Sequence, residues 1–353
     1  MRTFQQFGNK IESIPTVTSW YLADLGEALG KQELFTKQSP QKLKMLKEHA
    51  LIESAISSNR IEGVVIDQAR AATVVLGKAH LKDRSEEEVR CYRNALDWIH
   101  QEGAKILISE KMVLKLHQMS RGQIWDAGKY KEKNFDIIEK LPGGREHIRF
   151  RTVEASKTPG FIKKLMEAWQ DSLKEKNVHP LIALAAFNLD FLCIHPFRDG
   201  NGRVSRLLFL LQCYSLGYEA GRYISLERLI EQNKERYYET LQQSSQLWHE
   251  GKHDPWPYIN YLLYILKTAY HEFENRVGQI KSPRGAKTEF IESAIAGFEN
   301  EFTLSDLETG CPGVSRDMIR RVLWRLQKIK KVECLGRGPG AQWRKKGIAS
   351  KRV

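Results

Sequence analysis

The stretch CIHPFRDGNGRVSRLL, residues 193–208, sets one histidine, one aspartate, a Gly-Asn-Gly triplet and the pair Arg203 and Arg206 within a few turns of chain. His195 is the group there whose ordinary pKa suits it to accept a proton near neutral pH. The spacing predicts one helix ending at His195 and another starting near Asn201. The backbone amides of Gly200, Asn201 and Gly202 then form an unpaired helix N-terminus, which is a phosphate site. Glycines let a ligand approach the main chain, while Arg203 and Arg206 share a helix face and add positive charge. Asp199 has the wrong sign for direct contact with phosphate unless a divalent cation lies between them, and Mg2+ is the cation that bridges carboxylate to phosphates. The chemistry implied is transfer of a phosphate-containing group to an acceptor hydroxyl, with His195 as general base.

Those side chains need rigid supports, and the flanking sequence supplies them. Pro180 suits the first turn of a helix, and PLIALAAFNLDFLCI, residues 180–194, is apolar nearly all round, as a central buried helix would be. RVSRLLFLLQCYSLG restarts a helix that Gly217 closes. Helical periodicity also marks residues 41–62, ending at Gly63; 85–101, opened by a capping box of Ser85 and Glu88; 109–120, with the same signature; and 160–175, 225–247 and 255–276. Between 137 and 153 a Pro-Gly-Gly turn and the alternating HIRFRTV predict a β-hairpin.

Composition narrows the classes. With 41% hydrophobic and 28% charged residues, and no apolar run near the length of a membrane span, the chain reads as a globular protein with no membrane partner. The N-terminal stretch lacks the apolar segment of a secretory signal, and five scattered cysteines suggest neither a disulfide framework nor a zinc site; both point to the cytoplasm. The net charge of +13 is concentrated at the end, where residues 276–353 hold 17 Lys or Arg against 8 Asp or Glu, a net of +9. Such a bias fits nucleic acid, an acidic partner or a solvated face equally well. Residues 278–287 have the composition of a linker. Beyond it, two helices, a longer third helix (SRDMIRRVLWRLQKI) and two strands around residues 336–340 follow the order of a winged helix-turn-helix. A small helical cap used for dimer contacts is the alternative.

The run His195-Pro196-Phe197-Arg198-Asp199-Gly200-Asn201-Gly202-Arg203, with Arg206, resembles the Fic family motif HPFx(D/E)GNGRxxR. The resemblance implies a mainly α fold, a Fic-type helical core with a small hairpin flap, to which the C-terminal winged helix-turn-helix is added. Most members are protein adenylyltransferases, which move AMP from ATP to a Ser, Thr or Tyr hydroxyl of a protein, with Mg2+. On that basis His195 deprotonates the hydroxyl, Asp199 holds the metal, Asn201 and the neighbouring amides of Gly200 and Gly202 bind the α-phosphate, and Arg203 and Arg206 take the outer phosphates. The hairpin resembles the family's flap, with Ile148, Arg149, Phe150 and Arg151 on the strand that pairs with the target. Tyr237, Tyr238 and Trp248 stand where the family contacts the nucleotide, although helical packing accounts for such residues as well. Lys131 replaces the arginine of a common Gly-x-Tyr-Arg stretch, and the resemblance gives it no role. Upstream, Ser58-Asn59-Arg60-Ile61-Glu62-Gly63 fits the inhibitory pattern (S/T)xxxE(G/N), with Ser58, Glu62 and Gly63 at the defined positions. That pattern implies a Glu62–Arg206 pair obstructing the ATP γ-phosphate.

The expected organisation is an N-terminal helical region over 1–100, a catalytic core over 101–277, the linker, and the winged helix-turn-helix over 288–346. Two further functions use the same residues: removal of AMP from a modified protein, with Glu62 orienting a water, and a nucleotide-responsive regulator binding duplex DNA through its C-terminal domain. A homodimer is compatible with all three.

Overall fold

The computed structural model describes residues 1–346 except 8–12, 37–39, 78–79, 141–145, 280–285, 299, 312–313, 337 and 339. In chain order the first unit comprises α1 (Arg2–Phe7), α2 (Thr16–Thr36), α3 (Pro40–Ile61), α4 (Gln68–Val75), α5 (Arg84–Glu102), α6 (Glu110–Arg121), strands β1 (Ile137–Lys140) and β2 (Glu146–Phe150), α7 (Thr158–Glu175), α8 (Pro180–Ile194), α9 (Asn201–Ser215), α10 (Leu226–Gln232), α11 (Lys234–Ser245) and α12 (Trp256–Gln279). The fold is mainly α. At its centre lies α8, with every residue from Leu181 to Ile194 buried, so it packs against neighbours on all sides. Its two polar residues are satisfied there: Asn188 donates to the Ser205 carbonyl and accepts from the Tyr258 hydroxyl, and Asp190 accepts from Thr3 and Trp248.

One hydrophobic core runs from Phe4 to Val277, so the N-terminal helices and the helices around the motif bury their apolar faces together. Helix α2 gives a weak signal in sequence because Gly26 and Gly30 interrupt it and helix propensity is poor there. It forms because Leu25 is fully buried and Thr18 donates to Asn260 of α12. Two expectations change. The cap of α5 is Asp83, which accepts from the Glu86 amide, so Ser85 lies inside the helix and Glu88 is free for another task. The single helix over 225–247 divides at Asn233, whose side-chain amide donates to the Leu229 carbonyl and ends α10.

Strands β1 and β2 form an antiparallel hairpin with a bulge at Ile137/Ile138; its Pro-Gly-Gly turn lies outside the described residues. The second unit has its own core and contains α13 (Ala286–Gly297), β3 (Phe302–Thr303), α14 (Leu304–Gly310), α15 (Arg316–Lys328), β4 (Val332–Cys334) and β5 (Gln342–Lys345). The three strands form an antiparallel sheet in the order β3-β5-β4. Residues 280–285, within the expected linker, lie outside the described residues. The unit leans on α3, where Met45 packs against its core and His49 meets Phe290 edge-on at 5.8 Å. Among the described residues no helix is long and apolar enough to cross a membrane.

Candidate active site

Helix α8 ends at His195, whose amide bonds to the Phe191 carbonyl and whose backbone adopts φ 52°, ψ 62°. A left-handed conformation costs a non-glycine residue about 1 kcal/mol, so neighbours must hold it. Lys131 does much of this: its amide donates to the Pro196 carbonyl, and its buried ammonium donates to the Ile194 carbonyl and to the Thr152 hydroxyl. The loop itself is pinned by Asn201, whose side chain accepts from the Phe197 amide at 2.9 Å and donates to the Phe197 carbonyl at 2.8 Å. Phe197 is buried and stacks on His117 at 3.8 Å. The Gly128 amide donates to His117 Nδ1, which leaves the proton on Nε2 for the Asp199 carbonyl.

The His195 ring is half buried, and its Nδ1 donates to the Leu192 carbonyl at 3.3 Å. That assignment leaves Nε2 with a free lone pair. Burial lowers its pKa to about 4, with the nearby Lys131 charge acting in the same direction. Neutral imidazole is therefore the form at neutral pH, as a base requires. His195 lines a cleft of about 420 Å³ together with Glu62, Arg149, Phe150, Gly202, Tyr237 and Tyr238.

Opposite it, Gly200 caps α9 at φ 81°, where a side chain would be strained. Arg206 projects from the first turns of α9 and is buried. Its Nη2 donates to Glu62 at 2.7 Å and to the Ser58 carbonyl at 2.9 Å, its Nε donates to the Ser58 hydroxyl, and its Nη1 has no hydrogen-bond partner among the described residues. Burial opposes the Arg206 charge, but the Glu62 carboxylate raises its pKa above the usual value. Glu62 reaches this position because α3 ends one residue earlier and the chain turns through Gly63. A Cβ on Gly202 would fall 2.2 Å from Glu62 Oε1, so only glycine admits the carboxylate here. Ion pairs hold α3 in place: Arg228 meets both Glu53 and Glu272. Burial would raise the Glu53 carboxyl, but His49 and Arg228 hold it down at about 2.

Several expected roles shift. Arg203 is 1% exposed and lies away from the cleft, because Glu88 of α5 takes it at 2.5 Å and Asn59 accepts from it at 3.2 Å. Trp248 is fully buried and donates to Asp190 at 2.6 Å, so it braces α8 and does not reach the cleft. The Asn201 side chain is consumed by the loop, which leaves its amide for an anion. The Gly200 amide is already taken by the Asp199 carboxylate. Ile148 points outward, and Arg151 lies just past β2, where its carbonyl accepts from His249.

Asp199 is more than half exposed, and Arg121 pairs with it at 2.9 Å. No group of three or more His, Cys, Asp or Glu that could hold a metal exists among the described residues. A lone carboxylate still fits Mg2+ that draws its other ligands from phosphates and water. For phosphates the fit is direct: an orphaned Arg206 nitrogen beside a side-chain-free Gly202 at a helix N-terminus.

Sequence reasoning missed Glu88, Arg121, His117 and Lys131. The available signal was Glu88 itself, a charge on the same helix face as the apolar Tyr92, Ala95 and Ile99. Glu88 also pairs with Arg121 at 3.1 Å, so it neutralises two buried guanidinium groups. Glu88→Ala should destabilise the fold by about 3 kcal/mol, because it leaves buried Arg203 with only the Asp199 carboxylate, at 3.8 Å, among the described residues and makes Arg121 share that same carboxylate. Thermal melting of the variant checks this, and an unchanged transition would refute it.

With this geometry in view, residues 107–213 match the model of the Fic/DOC family. The protein adenylyltransferase Fic of Drosophila mojavensis is 26% identical over 185 residues, 50% of this chain and 34% of that protein. Its counterpart in Drosophila melanogaster is also 26% identical, with coverage of 50% and 35%. The chain thus spans about a third of the length of these curated relatives. Among solved structures, a Fic family protein from Desulfovibrio desulfuricans G20 aligns over 97% of this chain and 100% of its own, with a TM-score of 0.61 and 23% identity. A Fic domain containing signaling protein from Bacteroides thetaiotaomicron VPI-5482 covers 72% of this chain and 98% of its own, at TM-score 0.60 and 20% identity. Motif, fold and family model agree on one assignment: residues 107–213 of this chain match the Fic/DOC family domain.

Proposed function

We propose that the protein transfers AMP from ATP to a Ser, Thr or Tyr hydroxyl of a protein, and that Glu62 restrains this transfer. The observation that carries the reading is one cleft lined by His195, held through the Leu192 carbonyl, and by Gly202 and Glu62, where the Glu62 carboxylate bonds to Arg206. The hydroxyl proton passes to His195 Nε2, the hydroxyl oxygen bonds to the α-phosphorus, and the bond to the pyrophosphate oxygen breaks. The α9 amides and Arg206 take up the charge that develops on the phosphates. Asp199 would hold Mg2+, which supplies charge neutralisation at the phosphates. Tyr237 and Tyr238, T-shaped at 5.1 Å, form the apolar wall for the base. The two-stranded sheet offers the target an open strand edge for main-chain pairing.

Intact-mass analysis of candidate targets, and of the protein itself, after incubation with ATP and Mg2+ tests the reading. Addition of one AMP supports it, and addition of a bare phosphate or of nothing by a Glu62→Gly variant overturns it. A second reading is favoured by Glu62 lying in the same cleft as His195: a carboxylate there can orient a water against an AMP-modified target. Release of free AMP from such a target separates the two.

A pH consequence follows. His195 must be neutral to accept the proton, and its pKa is lowered to about 4, so the transfer rate should rise through that pH and stay level from about pH 5 to 7.5. An acid limb centred near 6.5 in the rate profile of Glu62→Gly would contradict the assignment of the base.

A further inference from the structure

The positive charge gathered after residue 276 has no part in the cleft, and the second unit shows where it goes. Helix α15 buries Ile319, Val322, Leu323 and Leu326 and exposes Arg320, Arg321, Trp324 and Lys328 on the opposite side. Asp317, also exposed, is the one acid on that side, and Arg320 reaches it at 3.8 Å. On the flanks Arg325 pairs with Glu292, and Arg316 with Glu308 at 3.5 Å, so these two arginines serve the unit's own fold. Exposed Lys330 and Lys331 follow directly and lead into the β4–β5 hairpin, where Arg344 and Lys346 are taken by Glu333. Among the described residues the unit meets the first unit through α14, which packs on α4, through Phe290 of α13 and through Met45.

We propose that the exposed face of α15, carrying Arg320, Arg321, Trp324 and Lys328, binds duplex DNA by lying in the major groove. Charge and shape together select this partner. A protein interface concentrates apolar residues and depletes charge at its centre. Here a single aromatic, Trp324, 67% exposed, stands among cations, the composition of a nucleic-acid surface. A thirteen-residue helix is about 20 Å long, and a helix of ordinary width fits the major groove, where cations on both of its edges reach the two phosphate backbones. Exposed Lys330 and Lys331, just past α15, add cations to the same stretch of chain. Trp324 is the one aromatic of α15, whereas splayed single-stranded bases need a series of aromatic platforms.

The test uses the full chain and a fluorescein-labelled duplex of mixed sequence, read by anisotropy. Binding should weaken steeply between about 50 and about 200 mM salt. Replacing Arg320, Arg321 and Lys328 together by glutamine should weaken it at least tenfold and lower the salt slope by about 3. These side chains are exposed, so melting should be unchanged. Should the triple variant fold poorly, Asp317→Asn gives an independent reading, because loss of the one opposing charge should tighten binding several-fold. His195→Ala should bind DNA as wild type does, which keeps the outcome separate from that of the proposed reaction. Absence of duplex binding at about 10 μM protein and low salt overturns the proposal. So does equal affinity of the triple variant, or binding of polyglutamate or single-stranded DNA as tightly as duplex.

Discussion

Replacing Glu62 by glycine is expected to raise AMP incorporation from labelled ATP by about ten- to a hundredfold, the usual range for a coupling between two sites. In the wild type the carboxylate sits 2.7 Å from Arg206 Nη2 and in the space a Gly202 side chain would fill. A phosphate entering there must displace a negative charge and take over its guanidinium. At about 4 Å and an effective dielectric constant near 20, two like charges repel by about 4 kcal/mol, so carboxylate and phosphate cannot share the site. Removing Glu62 leaves Arg206 bonded to both Ser58 oxygens and its orphaned nitrogen open to the ligand. Glu62→Gln, which keeps the shape and loses the charge, should fall between wild type and glycine. Unchanged turnover in a well-folded Glu62→Gly protein would remove the carboxylate from any inhibitory role.

The second large effect concerns the base. His195→Ala should lower turnover about 10²- to 10⁴-fold in the Glu62→Gly background, the usual contribution of a positioned general base. ATP affinity measured by calorimetry should change little, because the phosphate site is built by Gly202 and Arg206. Loss of ATP binding together with turnover would make His195 a structural residue of the loop, and equal turnover would end the mechanism.

Much of the site is legible in the sequence, because its parts lie in one window. The helix break at His195, the amide-rich start of α9 and the face shared by Arg203 and Arg206 are local consequences of proline, glycine and helical period. Glu62 was also within reach, since a glycine-ended helix places its last acid in the turn. What stayed hidden is the allocation of partners. Arg203 and Arg206 read alike along the chain, yet α5 brings Glu88 to the first and α3 brings Glu62 to the second. Trp248 was misread for the same reason: an indole is as fit for a base as for a buried carboxylate, and only the approach of Asp190 decides between them.

Residue order alone settles the mainly helical class, the position of the loop between α8 and α9, the hairpin and the basic end of the chain. All of these rest on periodicities and turn residues acting over a few positions. Packing settles which charges meet. A buried guanidinium is tolerated only beside the acid or carbonyl that folding delivers, and Asn59, Glu62, Glu88 and Lys131 arrive from segments more than 60 residues away from the loop they hold.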